Sequence, residues 1–346
     1  MASMTWNIHG HEWAAEMLAQ HIANGKLRHA YLFSGPEGVG RRTLALRFAQ
    51  AVNCDQASTP GEACGECITC RQIERMQHAD LAVVQAEEAG ILKVEQVREL
   101  QHFVALAPYS SQYRVALILN FEQANASAQN ALLKTLEEPN SHVLLLVTVD
   151  DAESLLPTIT SRCELMRLRP MQIDALTALL MERYSLDKTD SDLYAHLAGG
   201  RAGYAFRLAE NPDLLEQRKR WMSDLNQLIA GGKNERIAYS RKLTGPRFVD
   251  RDKAKAELSI AFPYWLSFWR DVMLVATGSK TALTNIDMEN MIANVAGFIQ
   301  PVEAANSIRG LEQALARLQS ANLQLMLDNL LLDWPVGKMQ YEMSND

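Results

Sequence analysis

The chain's most legible chemistry lies in Gly35-Pro36-Glu37-Gly38-Val39-Gly40-Arg41-Arg42. An apolar run, Ala30–Phe33, leads into it. A helical pattern carrying Leu44, Leu46, Phe48, Ala49 and Val52 follows. Strand, glycine loop and helix is the context in which G-x-x-x-x-G-K-[ST] makes a phosphate cradle, because backbone N–H groups at a helix start attract anions. Gly35 and Gly40 have the required spacing. Arg41 stands where the loop lysine belongs and Arg42 where the magnesium-binding hydroxyl belongs, while Thr43 comes one residue late. The scaffold of a nucleotide site is present with two of its chemical groups replaced.

A second cluster is Cys54, Cys64, Cys67 and Cys70, in a stretch rich in Gly, Pro, Ser and Thr. Two C-x-x-C steps share Cys67, so a tight turn eased by Gly65 aims successive sulfurs at one point. Zinc prefers four tetrahedral ligands and takes thiolates well, and Cys54 supplies the fourth. Such a site has no open position, so it is structural, and the metal would supply folding energy to a loop with little core of its own. Free buried thiols or a redox pair are the alternatives. The fifth cysteine, Cys163, lies too far along the chain to join and is assigned to core packing.

Around these clusters five apolar runs read as strands: Ala30–Phe33, Leu81–Val84, Val115–Leu119, Val143–Thr148 and Cys163–Leu168. Helical patterns alternate with them at Trp6–Ala23, Arg42–Asn53, Val94–Leu106, Ser127–Leu136 and Ala152–Ile159. Alternation of this kind predicts an α/β domain with a parallel sheet, and near-continuous apolar runs predict strands buried on both faces. After Arg169–Pro170 only helical patterns remain, ending in an expected long helix over Val302–Leu332. The expected division is an α/β domain at 1–169 with the cysteine module at 54–70, a small helical domain at 170–211 and a helical domain at 212–346.

The chain has 346 residues, 48% hydrophobic and 22% charged, which suits a globular protein of two or three domains. No transmembrane run and no secretion signal at the start are expected. A formal charge of -7 argues against nucleic-acid binding by the whole surface.

Four strings together carry a resemblance: the glycine loop after His29-Ala30-Tyr31-Leu32-Phe33, the four-cysteine insert, Asn130–Pro139 (N-A-L-L-K-T-L-E-E-P) and Ser161-Arg162-Cys163. The chain resembles the bacterial clamp-loader subunits of the AAA+ class, over Leu27–Pro170 most closely. The resemblance implies a RecA-like AAA+ domain with a five-stranded parallel sheet and a zinc insert, a small helical lid, and an all-helical C-terminal domain. It implies a hetero-oligomer with the motor subunits (gamma or tau) and the delta subunit, which together place the sliding clamp on primed DNA. It also implies a cytoplasmic location at the replication fork and nucleoid, and no membrane partner.

Within that family a motor subunit hydrolyses ATP, whereas the delta-prime type has a decayed site. Counting back from Asn130, the acidic pair of the Walker B strand falls on Leu119 and Asn120. The lid arginine of a motor subunit falls on Gly203, with Arg201 two residues away. With Arg41 and Arg42, these positions resemble the delta-prime type, so Gly35, Gly40, Arg41 and Arg42 form a degenerate loop where ATP is not expected to be hydrolysed. The resemblance makes Arg162 an arginine finger that reaches the γ-phosphate held by the neighbouring subunit. A helix-capping role for Arg162 is the alternative.

Rival readings are an active AAA+ ATPase using Arg41 for lysine, and a zinc-dependent DNA-binding protein. The latter is disfavoured because only Arg71 is basic near the cysteines. The basic stretch Lys233–Lys255 is expected to be a solvated face, with a surface for DNA or an acidic partner as the alternative. Phe262, Tyr264, Trp265, Phe268 and Trp269 are expected to pack between helices. Asn130–Pro139 is read as structural, with Leu132, Leu133 and Leu136 as core and Glu137 and Glu138 at a helix end.

Overall fold

The structure is a computed structural model that describes residues 6–86, 90–245 and 251–335. Its sheet has five parallel strands: β1 (Ala30–Ser34), β2 (Leu81–Val84), β3 (Arg114–Ile118), β4 (Val143–Val149) and β5 (Glu164–Arg167). Their spatial order is β2-β3-β4-β1-β5. β1, β3 and β4 are buried at every position, so their sequences are apolar without alternation. The period of two still sorts their side chains. Tyr31, Phe33, Val115, Leu117, Leu144 and Leu146 face one layer, with Leu18 of α1 (Glu12–Ala23) and Leu44 and Phe48 of α2 (Arg41–Asn53). Ala30, Leu32, Ala116, Ile118, Leu145 and Val147 face the other, with Leu100 of α4 (Val94–Val104) and Leu132 and Leu136 of α5 (Ala126–Glu137). Leu133 is partly buried against the same layer. Between the two layers in sequence, α3 (Ile68–Glu74) follows the cysteine loop. β1 pairs with β4 on one side and β5 on the other, so the loop after β1 leaves the carboxyl edge of the sheet where the strand order switches.

Two helices of the α/β region differ from expectation. α1 begins at Glu12 rather than Trp6, because Gly10 takes a φ of 82° that a helix does not use. The expected helix over Ala152–Ile159 is a 3-10 turn, Ala152–Ser154, followed by α6 (Pro157–Thr160). Leu156 is extended because it precedes Pro157.

Contacts group the chain into two compact units: Met1–Gln172 with Gly200–Tyr204, and Ile173–Gly199 with Ala205–Asp346. The second contains α7 (Ile173–Tyr184), α8 (Lys188–Ala198), α10 (Pro212–Ala230), α11 (Lys233–Thr244), α12 (Arg251–Ala276), α13 (Glu289–Phe298), α14 (Pro301–Arg317) and α15 (Leu323–Leu332), with α9 (Ala202–Glu210) divided between the units. Phe262, Trp265, Phe268 and Trp269 of α12 are fully buried, and Trp265 meets Trp221 and Trp334 edge-on. Tyr264 is partly buried at the same core. The single helix expected over Val302–Leu332 is broken at residues 318–322, where the Asn322 side chain accepts from Leu325 N and caps α15.

The basic stretch is not one face. Arg236 is fully buried and donates to the carbonyls of Leu228, Leu331, Trp334 and Pro335, closing the ends of α10 and α15. Arg247 and Asp250 lie outside the described residues. Among the described residues, no helix is long and apolar enough to cross a membrane.

Candidate functional sites: the glycine loop, the cysteine cluster and Arg162

The loop between β1 and α2 has the backbone of a phosphate cradle. Gly35 N donates to Val149 O, and a side chain at Gly35 would run into the Leu168 carbonyl. Gly40 has a φ of 111° and starts α2. Arg41 is only 6% exposed. Its Nη2 lies 2.5 Å from Asp150 Oδ1 and donates to Asn120 Oδ1 at 3.3 Å. Nη2 of the guanidinium at the lysine position is therefore engaged by groups of its own chain, while the buried Nη1 has no acceptor in the protein. Arg42 leaves the loop altogether, with Nη2 donating to Met76 Sδ at 3.4 Å. Thr43 is exposed on α2.

At the Walker B position β3 runs into Leu119, which is buried, and Asn120, which sits in the left-handed region at φ 52° with its N–H on Thr148 Oγ1. Neither supplies a carboxylate. The structure does place two acids nearby that counting along the motif missed. Glu122 accepts from Asp150 N at 3.3 Å. Burial, with the neighbouring Asp150 charge adding to it, holds the Glu122 carboxyl above its usual range, and Arg41 pulls it partly back. Asp150 itself follows β4. The signal available in sequence was only an Asp just past an apolar run.

Three successive carbonyls of the loop are held from outside. Arg201 Nη1 donates to Glu37 O at 3.4 Å, Gly203 N to Gly38 O at 2.9 Å, and His11 Nε2 to Val39 O at 3.2 Å. A Cβ at position 203 would lie 2.9 Å from Gly38 O, so this slot has no room for the side chain that the motor pattern places there. Arg201 reaches the loop instead, at its backbone. His11 is buried, and loss of hydration holds its imidazole below its ordinary pKa, against the raising effect of the Val39 bond. With a carbonyl as its partner, Nε2 is the donor in this bond.

The four cysteine sulfurs of the cluster lie within 4.8 Å of one another. Tetrahedral zinc–thiolate bonds of about 2.3 Å put sulfurs about 3.8 Å apart, and Cys64 Sγ is 3.9 Å from Cys70 Sγ. Backbone N–H groups turn inward: Cys64 N to Cys54 Sγ, Cys67 N to Cys64 Sγ and Cys70 N to Cys67 Sγ, at 3.2–3.3 Å. Those from Cys67 and Glu66 pull the Cys64 thiol down to about 7, while burial pushes the Cys54 and Cys70 thiols up when no metal is bound. Oriented N–H donors that favour thiolate, on an all-sulfur set, fit a bound metal ion. Cys54 comes from the end of α2 and Cys70 from α3, so the cluster fastens a loop across two helices. Cys163 is elsewhere, and burial pushes its thiol up to about 12.

Arg162 follows α6 on the way to β5. Its Nη1 donates to Thr158 O at 2.9 Å, the helix-end bond that the capping alternative expects, and its Nη2 lies 3.0 Å from Glu137 Oε1. The side chain keeps 36% of its surface exposed.

Residues 10–172 match the family described as DNA polymerase III, delta subunit. Over 318 residues the chain is 28% identical to the DNA polymerase III subunit delta' of Bacillus subtilis, covering 92% of this chain and 94% of that one. It is 36% identical over 170 residues to the tau subunit of Salmonella typhimurium, covering 49% of this chain but 26% of that protein. The chain thus spans about a quarter of the tau relative. Among solved structures it is similar to a DNA polymerase III gamma subunit-related protein of Thermotoga maritima, at 16% identity with a TM-score of 0.48 over 92% of this chain and 97% of that one.

Proposed function

We propose that this chain, which belongs to the DNA polymerase III delta-subunit family of clamp-loader proteins, is a delta-prime subunit that does not hydrolyse ATP itself and acts on its neighbour's ATP through Arg162. Its expected partners are the gamma or tau motor subunits and the delta subunit, with the sliding clamp and primed DNA reached through the assembly. The observation that carries the non-hydrolytic reading is the Arg41–Asp150 ion pair. Hydrolysis needs a lysine on the β- and γ-phosphates, a hydroxyl on magnesium and a carboxylate beside the attacking water. Here the cation is neutralised from within, the hydroxyl position holds an arginine aimed at Met76, and β3 is followed by Leu119 and Asn120. Glu122 and Asp150 favour the rival ATPase reading by supplying acids near the loop, but the second of them is bound to Arg41. Arg41 Nη1 is buried without a protein acceptor, so the chain retains one donor for a phosphate oxygen. Nucleotide binding is therefore measured beside turnover.

Arg162 offers a planar, permanently charged fork on an exposed turn, the chemistry that offsets charge developing on a transferring phosphoryl group. A finger of this type accelerates hydrolysis by roughly 10³–10⁵. Arg162→Ala in the reconstituted complex should leave assembly intact and lower turnover at the adjoining motor site by about 10³-fold. Arg162→Lys should rescue little, because an ammonium cannot span two oxygens. Isolated chain free of contaminating ATPase should show no turnover. A robust rate would overturn the first half of the proposal, and unchanged complex ATPase and clamp loading with Arg162→Ala would overturn the second.

For the cysteine cluster the proposal is a structural zinc ion on Cys54, Cys64, Cys67 and Cys70. When bound, the ion supplies cross-linking rather than catalysis, because four thiolates fill its coordination sphere. The location proposed with these partners is the cytoplasm. The division into an α/β domain, a lid and a C-terminal helical domain that carries oligomer contacts belongs to the same proposal.

A further inference from the structure

Glu137 sits where an acid is out of place. It is the last residue of α5, at the negative end of the helix dipole, and Glu138 follows it, with Lys134 as the base of that turn. Its carboxylate lies 3.0 Å from Arg162 Nη2, while Arg162 Nη1 is bound to Thr158 O. The two contacts are made by different terminal nitrogens to two different elements, α5 and α6. Together they set the plane of the guanidinium. A guanidinium has five N–H groups, so the fork retains donors beyond these two contacts. An arginine without such support must freeze a long side chain at the moment it engages a phosphate, and that entropy is charged against the transition state.

We propose that Glu137 is the positioning residue for Arg162, holding its guanidinium in the pose from which it meets the neighbouring subunit's nucleoside triphosphate. This rests on the trans-acting reading of Arg162 given above. The alternative of a latch that must open predicts the opposite sign. The α5 dipole disfavours a carboxylate at this end, and the ion pair with Arg162 offsets that cost for Glu137.

The test uses the reconstituted clamp-loader complex with clamp and primed DNA, the other motor sites being silenced so that turnover reports the adjoining site. This chain is supplied as wild type, Glu137→Ala, Glu137→Gln, Arg162→Ala or the Glu137→Ala/Arg162→Ala pair, and kcat and KM for ATP are measured. Glu137→Ala should lower kcat by about 3- to 10-fold with KM changed by less than about twofold. Glu137→Gln, which keeps the acceptor oxygen without the charge, should fall between Ala and wild type. The double variant should match Arg162→Ala, because nothing remains to position. Urea midpoints and subunit stoichiometry confirm that each variant is folded and incorporated, and the isosteric Gln variant carries the test where Ala is not. Wild-type or raised kcat in both Glu137 variants, with Arg162→Ala impaired, overturns the inference alone. A further loss from Glu137→Ala on the Arg162→Ala background also overturns it. Full activity of Arg162→Ala overturns the finger reading beneath it.

Discussion

Arg41, at the position where the loop pattern has its lysine, is held by an ion pair to Asp150 and a hydrogen bond to Asn120. A cation so buried tolerates its place because Asp150 lies 2.5 Å away, and Asp150 is itself half exposed, so solvent screens part of the attraction. Asp150→Asn should cost about 1 kcal/mol in urea unfolding, since a buried guanidinium then keeps only neutral acceptors. His11 gives the loop a pH dependence. Burial lowers its pKa from 6.5 in the folded chain, so the unfolded chain binds more protons in the window just below that value. The stability it contributes is complete above the unfolded pKa and is lost as pH falls through the folded one. His29, lowered by burial in the same direction, adds to the slope. Urea midpoints followed from pH 8 to 5 should therefore fall on acidification, and His11→Gln, which keeps a donor for Val39 O, should flatten the decline.

At the scale of elements, the cysteine loop shows how a segment without a core is ordered. Between α2 and α3 it carries little apolar side-chain mass, and its four sulfurs converge through N–H donors of their own backbone. Cys67→Ser, or removal of metal by a strong chelator, should open residues 54–70 to protease while leaving the strand and helix content of the α/β unit largely intact. Metal analysis of the intact chain should give one zinc per chain, and no bound metal would sink that reading. Helix boundaries were less legible than helix existence. The leucines from 311 to 332 keep their spacing through the break at 318–322, and only the Asn322 side chain on Leu325 N reveals a new start. Sheet strands were legible because burial on both faces leaves an uninterrupted apolar run.

The whole molecule holds separate hydrophobic cores: two layers against the sheet, and the tryptophan-rich cluster of the helical unit. Arg236 belongs to the last of these, where it satisfies four carbonyls at helix ends. Arg236→Met should cost about 3 kcal/mol or more, because those acceptors stay buried without a donor. Calorimetry should show the loss confined to the transition of the helical unit, as Cys67→Ser should be confined to the α/β unit. One cooperative transition shifted equally by both variants would show that the cores do not melt separately.

By itself the sequence determined the class of fold, the strand segments and the grouping of four cysteines that could hold a metal ion. Each depends on local pattern: period, apolar run, or spacing within a turn. Set beside the motif that the family resemblance supplies, it also marked Arg41, Arg42, Leu119 and Asn120 as departures from the motor pattern. Only the tertiary structure decided what those departures do. Asp150 and Asn120 meet Arg41 across strand ends far apart in the chain, and Glu122 accepts from Asp150 N. Gly203, His11 and Arg201 close on three loop carbonyls from distant segments. Arg236, read in sequence as one charge on a basic face, is buried among helix ends, and Glu137, read as a helix terminator, is ion-paired with Arg162. Such pairings are set by how β-strand ends and helix termini are brought together in space, and no spacing along the chain encodes that.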